Sequence, residues 1–145
     1  MLARIVAVRE AEGAELLWGF SHVGERYRPV PLRALRRRAR RLRYAAEVED
    51  ALRGEDSRAP ALWKKLQGAI GVLHDHHVLA GGLEEQSRTA AARGQTSVSR
   101  SARREQLYFD REARRLHRAL LETRPADLTL RALEAMARGA RKRLA

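Results

Sequence analysis

The sequence predicts an all-α protein, an antiparallel four-helix bundle of four to five helices in one domain spanning residues 1–145. Three observations predict it. Apolar residues recur at i, i+3 and i+4 in several separate stretches, the period of helices that bury one face. The connections between those stretches are short, as at Gly54–Ala59 and Thr123–Ala126, which sets successive helices antiparallel. A chain of 145 residues is most simply one domain with a core of its own.

The first thirty residues carry the weakest pattern. Leu2, Ile5, Val6, Leu16, Leu17 and Phe20 fit a helical stripe imperfectly, and Gly13 interrupts it. A β-hairpin turning at Glu12-Gly13 competes; a helix is preferred because everything after it is helical. Trp18 and Phe20 are assigned to the core. Pro29 and Pro31 punctuate the entry to the next helix.

That helix, Pro31 to Asp50, organises the chain. Seven of the eleven residues from Arg33 to Arg43 are arginine. At about 100° per residue, Leu32, Leu35, Ala39, Leu42 and Ala46 gather on one side. Arg33, Arg36, Arg37, Arg40 and Arg43 gather on the other, a rail about 15 Å long, with Tyr44 and Glu47 beside them. Like charges at i, i+3 and i+4 each cost a few tenths of a kcal/mol, so a purely structural helix would gain by interleaving glutamates. A solvated charged face is the plainer reading of such a run. A single-signed, all-arginine face fits bidentate capture of phosphate oxygens better.

The helix ends near Gly54. A third begins about Pro60, with Leu62, Leu66, Ala69, Ile70, Leu73 and His77 as its buried face. Gly68 and Gly71 lie in mid-helix, each costing about 1 kcal/mol against alanine; they imply either close helix packing or room beside a ligand. Lys64 and Lys65 stand near the helix start, where the dipole does not favour cations, and join the candidate site. In His74-Asp75-His76-His77, His74 and His77 are spaced to share an ion, but no further ligand cluster appears, so no metal site is expected. The chain loosens after Ala80-Gly81-Gly82, and Ser87 to Ser101, rich in Ser, Thr, Ala, Gly and Arg, reads as a loop or a short helix with frayed ends. The fourth helix starts at Ser99 or Ser101, with Phe109, Ala113, Leu116 and Leu120 as its core face and Arg104, Arg111, Arg115 and Arg118 exposed opposite. Pro125 breaks it and Asp127 caps the last helix, in which Leu133, Met136, Ala137, Ala140 and Leu144 bury and Arg138, Arg141, Lys142 and Arg143 crowd the final turn.

The net charge is +12, and residues 1–30 balance four arginines against four glutamates, so the whole excess lies later. It implies an anionic partner: polyphosphate, nucleic acid or acidic lipid. Cysteine is absent, which excludes disulfides and thiolate metal sites and fits a reducing cytoplasm. No signal-peptide pattern and no apolar run long enough to span a membrane is present. Aromatic residues make up 5% of the chain and asparagine is missing, so stacking platforms and one usual adenine reader are lacking. Sequence-independent binding to a nucleic-acid backbone stays open.

Two segments resemble the CHAD family (conserved histidine α-helical domains), whose signature is close to H-x-L-R-x-x-x-K-x-L-R-Y-x-x-E. Here that register holds Arg33, Leu35, Arg36, Arg40, Leu42, Arg43, Tyr44 and Glu47. A second family segment, L-Q-x-x-L-G-x-L-N-D, is met by Leu66, Gln67, Ile70, Gly71, Leu73, His74 and Asp75. The resemblance is strongest over residues 32–83. It departs at Arg33, where the family has its histidine, and at Arg40, where it has lysine. A complete CHAD domain has two helical halves in tandem, and this chain resembles one.

The resemblance implies non-catalytic binding of inorganic polyphosphate by basic residues, and association with polyphosphate granules. The motif match at Arg36, Arg40 and Arg43, together with the shared arginine face and the two lysines at the start of the third helix, makes Arg33, Arg36, Arg37, Arg40, Arg43, Lys64 and Lys65 the expected binding residues, with Tyr44, Glu47, His74 and Asp75 supporting; Asp75 is expected to pair with a rail arginine. CHAD domains often stand beside CYTH-type triphosphate-processing domains, so an accessory role to such an enzyme is an alternative. Catalysis by the chain itself is not expected, because Glu47 alone among nearby acids shares the arginine side and phosphoryl transfer needs converging carboxylates. No cofactor is implied. A homodimer is expected, since two copies would rebuild the basic cleft that two halves make, with Trp18 and Phe20, as the alternative to their core assignment, offered for its apolar contact.

Overall fold

The computed structural model describes residues 1–141, with side chains described through Arg138. Five helices follow one another: α1 (Leu2–Ser21), α2 (Pro29–Arg53), α3 (Ala59–Ala92), α4 (Thr96–Glu122) and α5 (Pro125–Arg141). There is no strand among the described residues, so residues 1–30 hold a helix and no hairpin.

The helix boundaries have local causes. Arg28 is extended (φ −134°, ψ 106°), as a residue before proline must be, and Pro29 then opens α2. Gly54 closes α2 in the left-handed region (φ 65°, ψ 34°), and the Glu55 N–H donates back to the Asp50 carbonyl at 3.0 Å. The Asp50 carboxylate accepts from the Ser57 N–H and hydroxyl at 2.9 and 3.0 Å, fixing the turn into α3. Asp127 lies in the first turn of α5, not at its cap, where its charge still favours the dipole.

α1, α2, α3 and α5 form a closed ring of neighbours, and α4 lies along the outside of α3. The α1–α2 pairing is antiparallel: Glu12 meets Arg41, Glu15 meets Arg38, and Gly19 packs against Leu35. The core takes Leu16 and Phe20 from α1, the full expected α2 stripe, Leu66, Ile70 and Leu73 from α3, and Met136 from α5. Trp63, fully buried, lies at its centre and donates its indole N–H to Met136 Sδ at 3.4 Å. Leu62, Ala69, Leu116 and Leu133 reach only its edge.

Glycine serves close packing in α1. A Cβ on Gly13 would stand 2.8 Å from Leu133 of α5, and one on Gly19 would overlap Leu35 of α2. Gly68 faces open space, so helix packing does not explain it.

Besides the Asp127 cap, three expectations fail here. Trp18 is not core: it is 64% exposed, stacked on His22 at 4.2 Å beside an apolar cleft of about 520 Å³ between the end of α1 and the start of α2. Its helical position falls between the α1 stripe that faces α2 and open solvent. The stretch Ser87–Ser101 is neither a loop nor a short separate helix: α3 continues to Ala92, the turn takes residues 93–95, and α4 starts at Thr96, ahead of Ser99. Its small residues let two helices approach closely. Ser87 and Ser99 each donate a hydroxyl to the other's carbonyl at 3.0 Å, while Ala90 and Ala102 bury. The core cluster takes α3 only to Leu73 and α4 only from Ala113, so residues beyond them form a two-helix arm. Third, Asp75 is exposed and makes no ion pair among the described residues. The burial expected of Ala140 and Leu144, and the basic turn at Arg141, Lys142 and Arg143, lie outside the described side chains.

Candidate functional site

The seven arginines of Arg33–Arg43 divide into two sets by what α1 offers them. Arg38 and Arg41 both donate to Glu12 at 2.7 Å, and Arg38 also lies 3.4 Å from Glu15. Burial works against ionising Glu12, but the hydrogen bonds from Arg41 and Arg38 outweigh it and hold the carboxyl below its ordinary value. These two arginines tie α2 to α1. Further along the same interface, buried Glu49 accepts from Arg53 at 2.7 Å and stands 3.8 Å from Arg9. A buried carboxylate of this kind becomes strongly destabilising once its cationic partners are removed.

Arg33, Arg36, Arg37 and Arg40 have no carboxylate partner among the described residues. Arg43 stands 3.4 Å from Glu47 and lays its guanidinium over the Tyr44 ring, 4.7 Å from the centroid. The side opposite the buried Leu32–Ala46 stripe is therefore a face of excess positive charge, with Glu47 as its lone acid.

α3 forms the other wall. Arg36 is half-buried against Gly71: a Cβ there would stand 3.6 Å from Arg36 Nε and 3.8 Å from Nη2. Three residues on, His74 feels both Arg36 and Arg33. Burial, then Arg36, with Arg33 and His77 adding and Asp75 opposing, hold His74 below its ordinary pKa, so it is neutral at pH 7. Arg33, His74 and His77 line a cleft of about 300 Å³ closed by Pro29, Val30 and Gly81-Gly82. The antiparallel register that sets Arg36 at Gly71 brings Lys64 level with Arg43. Lys64 is on Gly71's side of α3, seven residues and about 20° away, whereas Lys65 lies about 120° round the helix. Both lysines are exposed. Gln67, on the Arg36 side of α3, keeps a buried Oε1 without a hydrogen-bond partner.

The structure thus brings Arg33 and His74 to one cleft, with Arg36 against Gly71 beside it; helical rotation puts Arg40 and Arg43 of α2 and Lys64 of α3 on the sides that continue this α2–α3 groove, with Arg37 and Tyr44 further round α2. It leaves Lys65 and Asp75 at the periphery. No three His, Asp or Glu side chains converge in a metal-holding group among the described residues.

Beneath the groove's α2 end sits a polar cluster that the sequence reading passed over. Tyr27, in the α1–α2 connection, packs edge-on against His117 of α4 at 5.6 Å and His77 of α3 at 6.2 Å, with Arg114 over its ring at 5.9 Å. Burial, with Asp110 adding and Arg114 opposing, pushes the Tyr27 hydroxyl up. His117 is 1% exposed, its Nε2 has no partner, and burial followed by Arg118 pulls its pKa down. A signal was present: position 117 falls within the stripe of Ala113, Leu116 and Leu120.

A basic helical bundle with a one-sided arginine groove is the class that fold and site define. A model of the CHAD domain matches residues 6–84, just over half of the chain, and the chain belongs to the CHAD family. The match takes in α1 from Val6, α2, and α3 as far as Glu84, hence the whole arginine face of α2, and leaves α4 and α5 outside it. No curated protein and no solved structure matches the chain. No helix among the described residues is long and apolar enough to cross a membrane.

Proposed function

We propose that the protein binds inorganic polyphosphate in the α2–α3 groove without hydrolysing it. The observation that carries this reading is the sorting of the arginines. Carboxylates occupy Arg38 and Arg41, yet Arg33, Arg36, Arg37 and Arg40 have no carboxylate partner among the described residues and lie on one face. A linear polyanion needs charge repeated at short intervals, and arginine forks match phosphate oxygens bidentately. CHAD membership supports the same ligand class.

Binding is the whole activity in this reading. Glu47 is the sole carboxylate on the groove among the described residues, and it is engaged with Arg43. Phosphoryl transfer to water needs metal-binding acids around the phosphates. Free-phosphate assay after incubation with polyphosphate and magnesium tests this directly. Turnover that survives repurification and vanishes in Glu47→Ala would contradict it.

Two copies complete the site. A two-fold pair uses the same patch twice and sets groove against groove, with the polyanion between them offsetting the repulsion. Exposed Trp18, beside its apolar cleft, supplies a contact of the kind such a pair needs.

Polyphosphate titrated in competition with duplex DNA, across salt concentrations, tests the ligand. Polyphosphate should win at every salt concentration. Duplex DNA displacing it would favour the nucleic-acid backbone reading instead.

A further inference from the structure

α4 holds a second set of unpaired arginines, outside the part of the chain that the CHAD model matches. Of its arginines, Arg114 and Arg115 are neutralised along the helix by Asp110 at 3.2 Å and Glu112 at 2.8 Å. Arg100, Arg103, Arg104 and Arg111 have no such partner among the described residues. All four are exposed, and they border one open cleft of about 370 Å³ on the two-helix arm, with Ser87 and Leu107. Arg100, Arg104 and Arg111 lie in one stripe about 16 Å long at helical rise. Like charges so spaced destabilise a helix, and this helix relieves the repulsion only at Arg114 and Arg115. In the cleft floor, Ser87 and Ser99 donate both hydroxyl protons to each other's carbonyls. An anion there is met by guanidinium groups alone.

The cleft faces away from the groove. Ser87 lies sixteen residues beyond Gly71 on α3, about 24 Å along the axis and about 160° round it. α2 and α4 do not touch. A short polyphosphate in one cannot reach the other.

We propose that the α4 cleft is a second, independent site for the phosphate groups of polyphosphate, which makes each protomer bivalent and able to link two segments of a long chain. The ligand class rests on the reading of the α2–α3 groove; the cleft's existence as a site does not. Calorimetric titration with a short polyphosphate tests both, with duplex DNA titrated in parallel. Four proteins are needed: the unaltered chain, Arg36→Glu with Arg40→Glu, Arg100→Glu with Arg104→Glu, and all four changes together. All four positions are at least partly exposed, and circular dichroism confirms that each protein is folded.

The unaltered protein should show two classes of site, each double variant one, and the quadruple variant none. Light scattering with long-chain polyphosphate should show linked particles for the unaltered protein alone. Two classes surviving in Arg100→Glu with Arg104→Glu would overturn the second site. Two classes surviving in Arg36→Glu with Arg40→Glu, but one in the α4 variant, would instead sink the groove reading and leave the cleft standing. Loss confined to DNA in the α4 variant would overturn the polyphosphate assignment of the cleft.

Discussion

The Arg36 guanidinium lies across the bare backbone of Gly71, within 4 Å of where a Cβ would stand. This contact joins the two CHAD-like segments, one on α2 and one on α3, and it sets the register of the groove. It also gives mid-helix Gly71 a reason that close helix packing does not supply. The space above Gly71 holds a cation.

Replacing Gly71 therefore separates fold from function. In Gly71→Ala the new Cβ meets Arg36 at ordinary contact distance, so the fold should hold and helix stability should rise by up to about 1 kcal/mol. In Gly71→Leu the longer side chain displaces the guanidinium. Polyphosphate affinity should fall while far-UV circular dichroism stays unchanged. Full affinity in Gly71→Leu would mean that Arg36 works without its α3 wall.

The α1–α2 ion pairs should show in stability and not in binding. Glu12→Gln removes the acceptor shared by Arg38 and Arg41. It should cost about 1 kcal/mol, the upper end for partly exposed pairs, and free two more arginines without weakening polyphosphate binding. The Glu12 carboxyl sits below its ordinary value when folded. Its contribution is present above about pH 4.5 and is lost as pH falls through the lowered folded value. Urea melts of both proteins between pH 7 and 3 measure this. Identical acid profiles would refute it.

His117 should give acid sensitivity of the same sign in a higher pH window. It is buried neutral, and its folded pKa lies below the unfolded value of 6.5. The unfolded chain then takes up the proton first, so stability is full above about pH 6.5 and declines as pH falls below it. His117→Phe keeps the ring, removes the unpaired Nε2 and should flatten this decline, with stability at pH 7 equal or higher. A variant that still loses stability with the same slope would place the titration elsewhere.

Much of this was legible in the sequence, for a definite reason. The α2 stripe from Leu32 to Ala46 and the α3 positions Leu66, Ile70 and Leu73 are buried as their spacing requires. Periodicity reports which face is inside. It does not report which neighbour meets the remaining face. Helical phase sets Arg38 and Arg41 apart from the rail of Arg33, Arg36, Arg37, Arg40 and Arg43, but not what they meet; only the antiparallel placing of Glu12 and Glu15 supplies their partners. The arm was misread because alanine, glycine and serine suit a loop and a close helix seam equally well. His117 was missed although its position falls within the α4 stripe, because the residue type is polar and the stripe was read from apolar residues alone.

Assembly has its own test. Light scattering should report a dimer that polyphosphate tightens, since a ligand that binds only the dimer stabilises it by mass action. Trp18→Ala should weaken the dimer without unfolding the protomer, because Trp18 is largely exposed. A monomer with and without polyphosphate, still binding it, would mean that one open groove suffices.

Binding should be nearly flat between about pH 6 and 8, once the ionisation of polyphosphate itself is allowed for. Arg33 stands where the family has histidine, and arginine does not titrate in this range. His74 is held below its ordinary value, so it charges only at lower pH, where a polyanion would favour the proton and affinity should rise. Affinity falling steadily as pH rises from 6 to 8 would show that a histidine supplies the main contact.

Polyphosphate titration of charge-matched variants tests the central claim most directly. Arg36→Glu with Arg40→Glu removes two phosphate contacts from the groove, each a charge-assisted hydrogen bond of about 1.5 kcal/mol, so its affinity should fall on the order of a hundredfold. Arg4→Glu with Arg131→Glu changes net charge equally at exposed positions on α1 and α5 and should change affinity severalfold at most. Equal losses from the two pairs would contradict a site on α2 and leave only diffuse positive charge.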